Sequence, residues 1–132
     1  MSGGEALSLF QLGNFTLSSG IKSNFKVECD ALTRDDWDAL GALVREIVPE
    51  FCMVLGVPTG GLGLAEALSR YSGPNGPILL VDDVLTTGAS MENLKARVVN
   101  YQERPIVGVV AFARGQCPSW ITPLWQGRGG EA

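Results

Sequence analysis

Three short apolar runs punctuate the chain: "FCMVLGVP" (51–58), "ILLVDDV" (78–84, apolar up to its two acids) and "IVGVVAFA" (106–113). Each is bounded by glycine, proline or charge, and none alternates with polar residues. Such runs suit strands buried on both faces, as in a parallel sheet. Between them the period lengthens. "LAEALSRY" (64–71) reads as a helix, and so does "ASMENLKARVVNY" (89–101), with Met91, Leu94 and Val98 on one face. Upstream, "TRDDWDALGALVREIVPEF" (33–51) offers Thr33 as N-cap and Asp35 and Asp36 in the first turn, where the helix dipole favours acids. Trp37, Leu40, Leu43, Val44 and Ile47 follow at helical spacing, and Pro49 ends the helix.

The flanks are less regular. In "FTLSSGIKSNFKVECDAL" (15–32), Phe15 and Leu17 alternate, a Ser-Ser-Gly turn follows, and Phe25 and Val27 alternate again. That predicts a β-hairpin or two short strands around a turn. Residues 1–14 are weakly patterned and read as a short helix or a loose start. The segments "TGGLG" and "SGPNGP" (72–77) are loops. The tail after 113 is irregular, with one short strand predicted at 119–125 and a disordered end at 126–132. Strands alternating with helices predict an α/β fold: an open, mostly parallel sheet flanked by helices, with a short N-terminal β segment. The 132 residues suit a single domain, 1–132, with its core at about 33–113.

Composition narrows the chemistry. The net charge is −4 and no basic run occurs, so a nucleic-acid backbone is not an expected partner. With no histidine, imidazole is removed as base or metal ligand. Cys29, Cys52 and Cys117 are odd in number and widely spaced, which suggests neither a disulfide framework nor a zinc site. The absence of a signal-peptide pattern and of long apolar runs leads to the expectation of a soluble, cytoplasmic protein without membrane contact.

The densest chemistry lies in "ILLVDDVLTTGAS" (78–90). Ligands of open α/β sheets bind outside the carboxyl ends of the strands, where Asp82 and Asp83 stand. The "TTGAS" that follows leads into a helix, and successive amides in such a turn form an anion nest reinforced by the helix dipole. Thr86, Thr87 and Ser90 add hydroxyls, and Gly88 lets the backbone come close. The stretch therefore suits a phosphate on one side and hydroxyl groups or a metal on the other. The bland alternative is a strand-to-helix turn whose acids merely cap the helix. A second strand-to-helix loop, "GVPTGGLGLAEAL" (56–68), presents Gly60, Gly61 and Gly63 at the same edge. It is neither a Walker A loop nor a dinucleotide fingerprint. Two anion-competent loops on one edge suggest a ligand with phosphates at both ends.

These residues carry a resemblance. "ILLVDDVLTTGAS" is similar to the signature of the type I phosphoribosyltransferases, and "VLGVPTGGLGLAEAL" resembles that family's pyrophosphate loop. "FTLSSGIKSNFKVECD" is similar to the N-terminal segment of the orotate-using members. The resemblance covers roughly residues 10–113. It implies transfer of a phosphoribosyl group from 5-phosphoribosyl-1-pyrophosphate (PRPP) to a nitrogenous base, favouring an orotate-like pyrimidine, with Mg²⁺ held mainly by ligand oxygens and water. It implies that Asp82 and Asp83 bind the ribose hydroxyls and balance positive charge on the ring. Thr86, Thr87, Gly88, Ala89 and Ser90 would hold the 5′-phosphate, and Thr59, Gly60 and Gly61 the pyrophosphate. Lys22, Lys26 and Val27 would lie on the base side, and the assembly would be a homodimer. A PRPP- or nucleotide-binding regulatory module is the alternative the same signature allows. The chain departs from orotate-using members at Gly60 and Ser18, where they carry lysines. Only "SRYSGPNGP" stands where they insert a strand and a long mobile loop.

Four further residues have two readings. Arg114 follows the third strand at its ligand edge. Trp120 and Trp125 suit either stacking on a flat base or packing over the sheet edge. Trp37 sits on an apolar helical stripe and reads as core.

Overall fold

The computed structural model describes residues 10–16, 22–27, 32–99 and 103–127. Two antiparallel strands come first, β1 (Phe10–Thr16) and β2 (Lys22–Val27), forming their own two-stranded sheet. The expected hairpin is therefore present, but it begins earlier than the alternation suggested, because Phe10–Asn14 belong to β1. The expected Ser-Ser-Gly turn and Cys29 lie outside the described residues.

Helix α1 (Arg34–Ile47) starts as its sequence dictates. The Thr33 hydroxyl accepts the Asp36 amide at 3.2 Å, and the Asp36 carboxylate accepts the Thr33 amide at 2.8 Å. This reciprocal box satisfies two otherwise orphaned donors and stabilises the helix by about 1 kcal/mol. Leu40 and Val44 are buried, whereas Leu43 and Ile47 remain exposed. The apolar stripe is thus wider than the face that packs.

The main sheet has four parallel strands in the order β3-β4-β5-β6: Met53–Gly56, Ile78–Leu85, Ile106–Ala113 and Ile121–Gln126. Helix α2 (Leu62–Ser69) joins β3 to β4, and α3 (Ala89–Val98) joins β4 to β5. Leu40, Val44, Leu64 and Leu68 of α1 and α2 pack with Leu79, Val81 and Val109. Met91 and Val98 of α3 pack with Ile78, Leu80 and Val110. Alternation along β4 and β5 sends these two sets to opposite faces, so the sheet lies between α1/α2 and α3. An exposed Arg34–Glu66 pair at 2.9 Å links α1 to α2, worth under about 1 kcal/mol at the surface.

β4 is central, and Ile78, Leu79, Leu80 and Val81 are fully buried. The run at 51–58, expected to be buried on both faces, is instead an edge strand. Met53 is exposed, and Val54, Leu55 and Gly56 are half-buried. β6 covers the predicted tail strand, but Gln126 belongs to it and the Gly127 amide donates to the Ala113 carbonyl at 2.6 Å. The expected disordered tail therefore does not include those two residues. The β5-to-β6 connection, 114–120, is too short for a crossover helix. Trp120 holds it against α3, its Nε1 donating to Glu92 Oε2 at 3.0 Å with Lys95 Nζ 4.6 Å from the ring centroid.

Candidate active site

The carboxyl end of β4 is where the strand stops behaving regularly. Leu80 and Leu85 pack in the same cluster though five residues apart, as do Val110 and Ala113 three apart. Strict two-residue alternation is broken in both strands at the level of the aspartates. Each acid satisfies the backbone freed there: Asp82 Oδ1 accepts the Asp83 amide at 2.8 Å, and Asp83 Oδ1 accepts the Val84 amide at 2.6 Å. Asp82 is buried and Asp83 half-buried. Burial raises the Asp82 carboxyl to about 8, assisted by a side-chain hydrogen bond to Asp83 and by that neighbour's charge. Taking a carboxylate out of water disfavours its charged form, and a like charge beside it adds to the effect.

The turn after β4 leads straight into α3. Gly88 adopts φ 87°, a left-handed conformation that costs glycine nothing. It is the N-cap of α3 and leaves that end without a side-chain cap. The Thr87 hydroxyl accepts the Ala89 amide at 3.3 Å. Thr87 and Ser90, on either side of Gly88 and Ala89, are exposed, and Thr86 is half-buried.

The 57–61 loop folds down onto the same edge. The Val57 amide donates to the Val81 carbonyl at 2.9 Å, and the Gly61 amide to the Val57 carbonyl at 2.7 Å. The Pro58–Thr59 peptide is cis. A Cβ on Gly61 would collide with the Val81 carbonyl and the Val57 backbone, so glycine is required by close approach. A Cβ on Gly60 would collide with the Asp83 carboxylate. Thr59 and Gly60 are exposed. The 57–61 loop therefore meets the Asp83 carboxylate, and the 86–90 turn follows from the same strand end. Gly63 does not join them: it lies inside α2 with its Cα against the Trp37 indole, a packing role rather than a ligand one. Trp37 itself is half-buried beneath Phe112 and Val84.

Arg114 is buried at the carboxyl end of β5, and desolvation lowers its guanidinium below the ordinary arginine value. Trp125 is 48% exposed and stacks on Phe112 with centroids 5.3 Å apart and planes at 19°. Trp120 is held against α3 by its hydrogen bond to Glu92. Lys22, Lys26 and Val27 lie on β2, paired with Thr16, Gln11 and Phe10. The contact of Asp83 with Gly60 was not readable from sequence, since nothing local signals it.

No protein-family model matches the chain. Among curated proteins, the orotate phosphoribosyltransferase of Pyrobaculum aerophilum is 31% identical over 138 aligned positions, covering 81% of this chain and 70% of that protein. The chain belongs to the orotate phosphoribosyltransferase family. This is a family of glycosyltransferase enzymes. The Pyrobaculum calidifontis orotate phosphoribosyltransferase is 33% identical, covering 83% of this chain and 71% of the relative. A match of 138 positions exceeds the 132 residues available, and 81% coverage leaves about 30 positions where the relative has residues and this chain has none. Among solved structures, orotate phosphoribosyltransferase from Aeropyrum pernix superimposes with a TM-score of 0.70 at 22% identity, over 89% of this chain and 88% of that one. The Mycobacterium tuberculosis H37Rv enzyme, solved with Fe(III) dicitrate, gives 0.68 at 18% identity, over 89% of each chain. These likenesses establish that the α/β fold is that of the family. Among the described residues, no helix is long and apolar enough to cross a membrane.

Proposed function

We propose that this chain transfers the 5-phosphoribosyl group of PRPP to orotate. The ring nitrogen of the base bonds to the anomeric carbon as the bond to pyrophosphate breaks; pyrophosphate leaves with the bonding pair, the N–H proton of the base passes to it or to water, and the products are the nucleotide and pyrophosphate. The observation that carries this reading is the 57–61 loop folded onto the carboxyl end of β4, with Gly60 against the Asp83 carboxylate, on the strand that leads directly into the glycine-capped start of α3. Thr86, Thr87, Gly88, Ala89 and Ser90 hold the 5′-phosphate at the α3 N-terminus. Thr59, Gly60 and Gly61 meet the pyrophosphate. Asp82 and Asp83, between the two, bind the ribose hydroxyls and oppose positive charge as it grows on the ring. Lys22, Lys26 and Val27 of β2 serve the base side.

The donor set suits magnesium. Among the described residues no three acids or cysteines gather into a metal cage, while two adjacent carboxyls stand beside the proposed diphosphate. Mg²⁺ keeps several waters and binds through one or two carboxylates plus substrate oxygens. When bound, it neutralises charge on the leaving group. The protein acts in a cytoplasmic setting on this reading.

The test is direct. Purified protein with PRPP, Mg²⁺ and orotate should lose orotate absorbance and release one pyrophosphate per base consumed. Asp82→Asn/Asp83→Asn should lower kcat/KM at least ~100-fold. Calorimetric titration of PRPP with and without Mg²⁺ separates binding from turnover. Wild-type protein that neither binds PRPP nor releases pyrophosphate would sink the proposal. Binding without turnover would assign the regulatory role instead.

A further inference from the structure

The sheet order fixes the side from which an acceptor reaches the ribose. β3 and the 57–61 loop that follows it lie on one side of β4, and β5 and β6 lie on the other. On the function proposed above, that loop takes the departing pyrophosphate while Asp82 and Asp83 at the end of β4 hold the sugar. In a displacement at carbon the incoming atom lines up opposite the departing one. The acceptor base therefore approaches over the carboxyl ends of β5 and β6.

An aromatic shelf stands there. Val84, Phe112 and Trp125 are in register across β4, β5 and β6. Phe112 is buried against Val84 and Trp37, and Trp37 lies against Gly63 in the first turn of α2. This row is thus on the face that carries α1 and α2. Trp125 ends the row: it stacks on Phe112 and is still 48% exposed. Its strand end is fixed, because Gln126 Nε2 donates to the Gly115 carbonyl at 2.7 Å and the Gly127 amide to the Ala113 carbonyl at 2.6 Å. A large ring stacked on one side, half open and held in place gives a flat partner contact area at little ordering cost. Neighbouring strands lie about 4.8 Å apart, so Trp125 stands about 10 Å across the sheet from Val84, the residue after Asp83. A ribose, its glycosidic bond and a stacking gap of roughly 3.5 Å span about the same distance.

We infer that Trp125 is the platform on which the acceptor base stacks, with Phe112 as its backing. The inference rests on the function proposed above and adds a residue that determines what the site accepts: a planar ring. Stacking is present both before and during the transfer, so it lowers KM for the base and leaves kcat alone.

The chain has three tryptophans, Trp37, Trp120 and Trp125. Heteronuclear NMR of labelled protein separates their indole N–H signals, and Trp125→Phe identifies the one from Trp125. Orotidine 5′-monophosphate should move the Trp125 signal of the wild-type chain. Ribose 5-phosphate, with the same sugar and phosphate but no base, should leave it in place. Trp125→Ala should raise KM for orotate and weaken orotidine 5′-monophosphate at least ~5-fold, the loss expected of one base–aromatic stack. PRPP affinity should stay as in wild type, and Trp125→Phe should recover most of the base affinity. A wild-type chain that binds the nucleotide without moving the Trp125 signal overturns this inference alone. So does a Trp125→Ala chain that loses PRPP and nucleotide equally, which is what a purely structural role would give. A wild-type chain that binds neither PRPP nor nucleotide overturns the proposed function and this inference with it. The wild-type titration decides the matter even if Trp125→Ala fails to fold.

Discussion

The carboxylate of Asp83 fills the space that any side chain at position 60 would need. The same carboxylate accepts the Val84 amide at 2.6 Å, so it is anchored to its own strand and is not free to swing away. The family resemblance puts a lysine at position 60 in orotate-using members. Here a side chain at position 60 and the acid at position 83 compete for the same space. Gly60→Ala is expected to destabilise the fold by about 1–3 kcal/mol, as overpacking does, and to raise KM for PRPP. Adding Asp83→Ala should restore most of the stability and none of the activity. Urea denaturation of the two single variants and the double variant closes the cycle. Additive stabilities would show that the two residues do not compete for space.

Gly88 tests the anion turn without touching a packed neighbour. A Cβ there meets nothing within 4 Å, so its cost comes only from φ 87°. Gly88→Ala should lose about 1–2 kcal/mol of stability, the left-handed penalty for a residue with a Cβ. Inorganic phosphate or PRPP binding to the folded variant should weaken as the turn relaxes. Wild-type stability in Gly88→Ala would mean that the turn does not hold this conformation in solution.

Much of this was legible in the chain. β5 runs over 106–113 as its apolar run predicts, and α1 opens on Thr33, because both signals are local. The 86–88 turn was readable for the same reason: hydroxyls and a glycine follow a strand directly. What was not legible is tertiary. The run at 51–58 has the composition of a central strand, and only the sheet order shows that, among the described residues, no strand pairs on its far side. Gly63 looked like Gly60 and Gly61 until the Trp37 indole proved to lie against it. Asp82 and Asp83 are identical as letters, yet one is buried and the other half-buried against Gly60, 23 residues earlier in the chain.

Gly108 and Trp120 report on the short β5-to-β6 connection. A Cβ on Gly108 would fall 2.8 Å from the Trp120 ring and 2.9 Å from the Met91 methyl. Gly108→Ala should therefore cost about 1–3 kcal/mol through overpacking. Trp120→Phe keeps the ring and loses the hydrogen bond to Glu92, for about 0.5–1.5 kcal/mol. Tryptophan fluorescence during thermal unfolding reads both. A Gly108→Ala protein as stable as wild type would show that Trp120 does not cover β5.

Asp82 makes stability depend on pH in an unusual direction. Its folded pKa, about 8, stands above the ordinary 3.8, mainly through burial and then through Asp83. Between those values the folded chain holds a proton that the unfolded chain has released. Stability must then fall as pH rises through this window, by up to about 1.4 kcal/mol per pH unit from this group. Below pH ~4 both states are protonated and the effect is absent. Asp82→Asn removes the titration while keeping the shape. The variant should match or trail wild type near pH 4 and gain on it steadily toward pH 8, measured by urea denaturation at each pH. Comparing the two proteins cancels the other acids, which titrate in both. The same proton should appear on ligand binding. A cation placed beside the pair lowers the Asp82 pKa, so PRPP with Mg²⁺ should release up to one proton at pH 7. Titration calorimetry in two buffers of different ionisation enthalpy counts it. A stability difference that is flat with pH, together with no proton release, would mean that Asp82 is ionised in the folded protein and that its burial is not what the structure shows.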